Sequence, residues 1–186
     1  MPKILANMDE VIFKFAKELF YEKGYEQVSM RDISKRSGIA VGTLYNYYSN
    51  KKELYISVLE KSWEDTFEKL DVILKKDIDE KERIKDSIKI IYDEILDRKC
   101  MGIQVRKTKH LKDEESIIDL EKRIKLNLKQ VFKNIDIKEK FQEDENILGK
   151  IVYSLLINTT MLMDYYPEDK EENIDYLYNT IEGFIK

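Results

Sequence analysis

Cysteine and histidine are almost missing from this sequence: one of each, Cys100 and His110, in 186 residues. A single cysteine excludes an internal disulfide framework and a cysteine-based zinc site, and it fits a reducing compartment. A single histidine removes every multi-histidine metal centre and leaves neutral-pH acid–base chemistry short of its usual carrier. Proline occurs only at Pro2 and Pro167, and glycine six times, so turn chemistry is scarce and the chain favours helix. No apolar run reaches the roughly 20 residues of a membrane span. The longest, Ile151 to Met163, is interrupted by Ser154, Asn158, Thr159 and Thr160. No apolar stretch of signal-peptide type follows Met1. These absences predict a soluble, cytoplasmic protein without metal or cofactor.

What is present is a core and a heavily charged surface. Hydrophobic residues make up 42% and charged residues 38%, a balance that excludes a disordered or collagen-like chain. The length suits one core, or a small head on a larger body. The net charge of −4 argues against nucleic acid only when averaged. Up to Trp63 there are 10 basic and 8 acidic residues, and beyond it 23 and 29. A mildly basic head precedes an acidic body.

Helical spacing runs throughout. Ile12, Phe15, Ala16, Leu19 and Phe20 form one apolar stripe on a helix from about Asn7 to Gly24, where glycine supplies a left-handed cap. Ser29 with Asp32 reads as a capping-box variant opening a short second helix. A break at Ser37 to Ala40 precedes a third helix, Val41 to Tyr48. Asn50 and Glu53 form a cap pair for a fourth, running to about Leu74. Its 25 or so residues span about 37 Å, too long to serve the head alone. The body repeats the pattern: Ile84, Ile88, Ile91 and Ile95, then Ile117 to Phe132, then Ile147 to Tyr166, stopped by Pro167, and a last helix to Ile185. No alternating run suggests a strand. The prediction is an all-α chain of about nine helices, with a head at 1–50 and a body at 51–186.

Two short helices joined by a glycine-containing turn, Ser29 to Tyr48, make a helix-turn-helix pattern. In that motif the first helix braces across the DNA backbone and the second enters the major groove. A groove-entering helix needs small residues at its start, and Ala40, Val41 and Gly42 are small. It needs outward hydroxyls and amides, and Thr43, Tyr45, Asn46 and Tyr47 supply them. Leu44 and Tyr48, at i and i+4, are its inward anchors. Lys51 and Lys52 open the next helix with the cations that phosphates prefer.

The run from Ser29 to Leu54 resembles the DNA-binding head of TetR-family transcriptional regulators. It shares the serine that starts the second helix, the small-residue turn, Thr43-Leu44-Tyr45, the aromatic pair Tyr47-Tyr48, and then Lys51 and Leu54. The likeness covers roughly Val11 to Leu59. It implies that Ser29 caps its helix and touches phosphate, and that Thr43 and Tyr45 meet bases or phosphates. It implies that Tyr47 and Lys51 contact phosphate. Arg31, Arg36, Val41, Gly42, Asn46 and Lys52 complete the expected DNA-facing set. Tyr48 departs from the usual phenylalanine, and its hydroxyl either finds a partner in the head or reaches the surface. Val41 to Tyr48 contains no arginine, so the arginine–guanine contact cannot come from this helix. Asn46 pairs well with adenine, and Thr43 or Val41 can touch a thymine methyl. The chemistry predicts A·T-rich half-sites read partly by shape.

In the body the expected ligand pocket takes Trp63, Phe67, Ile91, Tyr92 and Ile95, with Arg106, His110, Leu156, Asn158 and Thr160. For His110 the plainer reading is a surface residue in a basic stretch. Cys100 reads most simply as a small buried residue. Asn158, Thr159 and Thr160 either bond a ligand or satisfy each other across helices. The acidic runs, Asp113 to Glu115 among them, read as solvated loops or helix starts. The resemblance implies that the last two helices pair with a second copy through Ile151, Leu155, Leu162, Leu177, Ile181 and Phe184.

The function implied is a homodimeric, non-enzymatic transcriptional regulator, a repressor released from palindromic operator DNA by a small-molecule effector. An activator of the same family and a helical adaptor for protein partners are the alternatives. An enzyme lacks a metal constellation, a nucleophile elbow and a phosphate loop.

Overall fold

The computed structural model describes residues 3–98, 101, 108, 111, 113–133 and 135–186, the first five as backbone only. Among these residues nine helices are defined and no strand. They are α1 (Lys3–Gln27), α2 (Met30–Ser37), α3 (Val41–Tyr47), α4 (Lys51–Leu74), α5 (Glu80–Arg98), α6 (Glu115–Val131), α7 (Glu139–Gln142), α8 (Ile147–Tyr165) and α9 (Lys170–Glu182). The all-α prediction holds. An isolated antiparallel bridge joins Ile137 and Ile185.

Two compact units make up the chain: Met1–Trp63 with Arg98–Ile118, and Glu64–Asp97 with Asp119–Lys186. Within the first, Ile12, Ala16, Leu19 and Phe20 of α1 are buried, as their spacing predicts, and Phe15 is half-buried. Val28, Met30, Ile33, Leu44, Leu54 and Tyr55 are buried in the same unit. Phe20 and Tyr25 each meet the Tyr55 ring edge-on at 5.0 Å between centroids. Gly24, at φ 76° and ψ 176°, breaks the helical backbone where the sequence predicts an end, and a last short turn of α1 follows it to Gln27. Gly38, at φ 72°, caps α2 in the left-handed conformation open to glycine.

Capping follows the sequence closely at α2 and with a shift at α4. Ser29 Oγ accepts from the Asp32 amide at 3.2 Å, and the Asp32 carboxylate accepts from the Ser29 amide at 2.9 Å. Asn50 Oδ1 accepts from the Glu53 amide at 2.9 Å. The Glu53 carboxylate, however, reaches one residue beyond the expected pair, to the Ser49 amide at 2.9 Å and its hydroxyl.

In the second unit Ile84, Ile88, Ile91 and Tyr92 of α5 are buried, with Leu120, Ile124, Leu128 and Val131 of α6. Asn173 on α9 ties the helices together: its amide donates to the Tyr92 hydroxyl at 3.0 Å and to the Tyr166 carbonyl at 2.8 Å. α8 is long and apolar enough to cross a membrane by length and composition, with a mean hydropathy of 1.2 and 22% of that stretch buried. Ile151, Val152 and Leu155 are buried, while Tyr153, Met161 and Tyr165 are exposed.

Candidate nucleic-acid interface

Leu44, fully buried, holds α3 against the head, and burying a leucine contributes about 1.5–3 kcal/mol. Gly42, Tyr45 and Asn46 are thereby left exposed, and Val41, Thr43 and Tyr47 half-buried. Of the four side chains expected to face outward, Tyr45 and Asn46 are exposed and Thr43 and Tyr47 half-buried. A Cβ added at Gly42 would meet nothing within 4 Å, so no neighbour in the head requires that glycine. Ser29 and Arg31 are exposed on and beside α2. Arg36 is exposed too, and leans toward Glu18 and Glu22 of α1 at 4.0 and 3.6 Å.

The Tyr48 hydroxyl finds its partner inside the head, donating to Asp9 Oδ1 at 2.7 Å. Burial first, and then the Asp9 bond, push its pKa up to about 12. Asp9 lies 39 positions earlier, and nothing in the spacing marks it.

The two lysines at the start of α4 are both engaged. Lys51 Nζ donates to the Tyr25 carbonyl at 2.7 Å and sits 4.0 Å from the centre of the Tyr25 ring. Burial lowers its pKa. Lys52 Nζ pairs with Glu114 Oε1 at 2.5 Å. Glu114 belongs to an acidic run expected to be solvent-facing; its pairing with α4 is a tertiary fact without a local signal. Caps carry charge here as well. The hydrogen bonds from Ser29 lower the Asp32 pKa, and those from Ser49 lower that of Glu53.

The residues expected to line a pocket are not gathered in one described place. Arg106, His110 and Cys100 lie outside the described residues. Trp63 is in the first unit, where its ring stacks on the Arg98 guanidinium at 4.2 Å. Arg98, 2% exposed, also donates to Ser62 through Nε at 3.0 Å and Nη2 at 2.6 Å. Ile91 and Tyr92 are core, and Phe67, Ile95, Leu156 and Thr160 half-buried, in the second unit. The α8 threonine hydroxyls bond within their own helix. Thr159 and Thr160 donate back to carbonyls of their own helix, Leu155 and Ile157, each at 2.8 Å.

Asn158 instead borders a shallow groove of about 10 Å³ between α8 and α9, with Ser154, Thr180 and Phe184 at its sides. That is room for one water at most. Ile151, Leu155, Leu177 and Ile181, expected at a dimer contact, form the wall of this groove and are only 1–4% exposed. They hold α8 to α9 within the chain. Leu162 and Phe184 stay half-buried.

A capped bracing helix followed by a short helix with an anchored inner side and a hydroxyl- and amide-bearing outer one is a helix-turn-helix DNA-binding head. The family described as "Bacterial regulatory proteins, tetR family" matches residues 12–58, the helix-turn-helix part of the chain. The HTH-type transcriptional activator FasR of Mycolicibacterium smegmatis is 29% identical over 78 residues, 42% of this chain and 36% of that protein. An uncharacterised HTH-type transcriptional regulator in the lacX 3' region of Lactococcus lactis is 27% identical over 82% of this chain and 84% of its own length. The chain spans only 33–40% of the length of the first curated relatives it matches.

Solved structures share the fold along nearly the whole chain. The fatty acid degradation regulator FadR from Bacillus halodurans matches with a TM-score of 0.74 at 20% identity, covering 95% of this chain and 99% of its own. FadR from Bacillus subtilis, in complex with stearoyl-CoA, matches at 0.66 and 18%, covering 91% and 97%. A regulator from Saccharomonospora viridis, in complex with choline, matches at 0.76 and 15%, covering 97% and 99%.

Proposed function

We propose that this chain is a sequence-specific, DNA-binding transcriptional regulator of the cytoplasm that works as a homodimer and carries no enzymatic activity. The observation that carries the reading is the outer side of α3. Thr43, Tyr45 and Asn46 stand beside a glycine that the head does not need, on a helix pinned from behind by Leu44. Arg31 and Ser29 flank them for phosphate. The head comprises residues 1–50 and the ligand-binding and dimerisation body 51–186.

Two copies are required because one seven-residue helix reads too few base pairs, whereas a symmetric dimer reads a palindrome. The surface offered to a second copy is the open side of the α8–α9 pair. Met161, Tyr165 and Tyr176 are 48%, 70% and 56% exposed on these two helices, and Leu162 and Phe184 are half-buried. The pairs buried within the chain support this surface from below.

The effector is a small amphipathic molecule. FadR of Bacillus subtilis is solved with stearoyl-CoA, so a long-chain acyl thioester is the first class to try. Binding would favour one separation of the two heads over another, and loss of register on one half-site releases the other. Repression is the principal mode; activation is the second reading, favoured by the similarity to the activator FasR. Half-sites are A·T-rich, since α3 lacks arginine and Asn46 suits adenine.

Selection from randomised duplex tests the reading, with fluorescence polarisation across salt. A dimer meeting about 4–6 phosphates gives a slope near −4 to −5. A chain that stays monomeric, ignores duplexes of every composition and shows no salt dependence is not such a regulator. G·C-rich winners without A·T preference would reject the half-site assignment alone.

A further inference from the structure

We propose that Glu114 competes with DNA phosphate for Lys52, so that the segment carrying Glu114 tunes the affinity of the head for DNA. The proposal rests on the DNA-binding reading and deepens it by naming the residue that regulates the interface.

The start of α4 holds two ammonium groups, and they differ in freedom. Lys51 is committed inward, to the Tyr25 carbonyl and ring. Lys52 points to a carboxylate instead: Glu114 Oε1, 2.5 Å away. Their side chains are 39% and 33% exposed, so water and salt reach the pair. Such pairs add little to stability, and this one is therefore exchangeable. A phosphate oxygen offers an ammonium the same partner chemistry as a carboxylate oxygen. While Glu114 stays in place it occupies Lys52 and also adds a negative charge where a phosphate would approach.

Glu114 is mounted firmly enough to act in this way. It immediately precedes α6, and its amide donates to the Leu111 carbonyl at 3.1 Å. Leu111 and Met101 are fully buried and Ile117 is 1% exposed. The Tyr55 hydroxyl of α4 donates to the Met101 carbonyl at 2.9 Å. Thr108 Oγ1 approaches Glu26 Oε1 at 3.5 Å, next to the Tyr25 that holds Lys51. The segment thus touches the end of α1 and the start of α4 at three described points. Its carboxylate is presented to Lys52 by buried anchors of the same compact unit. A shift of these anchors withdraws Glu114 and returns Lys52 to solvent, where phosphate can take it.

The test uses the full-length protein and a fluorescein-labelled, mixed-sequence duplex of roughly 30 base pairs, titrated from about 50 to about 200 mM NaCl. Glu114→Gln keeps the shape and removes the charge. It should tighten binding about threefold and steepen the salt slope by roughly 0.9 for each head. Lys52→Gln should weaken binding, and Glu114→Gln added to Lys52→Gln should then gain clearly less than the threefold seen with Lys52 present. Unchanged or weaker binding by Glu114→Gln overturns the proposal. So does an equal gain in the Lys52→Gln background, which would mean that net charge alone is responsible. If the wild-type protein fails to bind at the lowest salt, the DNA-binding reading itself falls and this proposal with it. Wild-type binding with a flat response to Glu114→Gln removes only the proposal.

Discussion

The Tyr48 hydroxyl donates to the Asp9 carboxylate across 2.7 Å, joining the residue that caps α3 to the first long helix of the head. The bond fixes the end of the DNA-facing helix from a point 39 positions away. Its loss in Tyr48→Phe should lower stability by about 1 kcal/mol, readable by urea titration, and loosen the hold on α3. The sign with pH follows from the direction of the shift. The folded pKa lies above that of an unfolded tyrosine, so the contribution is complete below about pH 10 and is lost as pH rises through about 12. Absorbance titration of the 12 tyrosines should show phenols ionising above the ordinary range, and Tyr48→Phe should reduce that late component.

Gly42→Ala should move stability and binding in opposite directions. A methyl there meets nothing within 4 Å of its own chain, and alanine favours helix over glycine by about 0.5–1 kcal/mol. The melting temperature should rise. Affinity for the selected duplex should fall about tenfold, equivalent to one specific contact of roughly 1–3 kcal/mol. Unaltered affinity would show that the helix start never comes close to the groove.

Acid should weaken the head through its caps. The Asp32 and Glu53 carboxylates have pKa values lowered by hydrogen bonds from Ser29 and Ser49. Groups lowered on folding contribute above the ordinary carboxylate range, and the contribution disappears as pH falls through the depressed values, below about 4. Ser29→Ala removes the larger cause at Asp32. It should reduce the melting temperature at pH 7 and flatten the acid limb between about pH 5 and 2, measured by circular dichroism.

A charge on the open side of the α8–α9 pair should separate subunits without unfolding them. Met161 is 48% exposed, so Met161→Glu should sediment as a monomer with its helical content intact. Leu155, 2% exposed, behaves differently: Leu155→Ala should cost about 2–5 kcal/mol of chain stability. A dimeric Met161→Glu protein would place the subunit contact elsewhere.

Local chemistry made α2, α3 and the start of α4 legible before any coordinates. A serine three positions before an aspartate, a glycine after Ser37 and a leucine four positions before Tyr48 act within one turn of helix. Partner choice did not show in the same way. Lys52 and Glu114 are 62 positions apart, and which acid meets which lysine depends on how helices pack. Periodicity told only that α8 is apolar nearly all round. It could not separate Leu155, which is buried, from Met161, which is open, because both are hydrophobic and close in sequence. The threonines of α8 resisted for another reason: a hydroxyl in a helix always has a carbonyl of its own turn within reach.

The stacking of Trp63 on Arg98 has a practical consequence. This is the one tryptophan of the chain, and a guanidinium carbon sits 4.2 Å from the centre of its ring in a nearly dry setting. Excited at the red edge, where tyrosine is dark, the indole is a native optical gauge of the spot where both contiguous pieces of the first unit meet their boundary. Any event that slides the guanidinium off the ring changes its colour and yield, so the molecule carries its own dye.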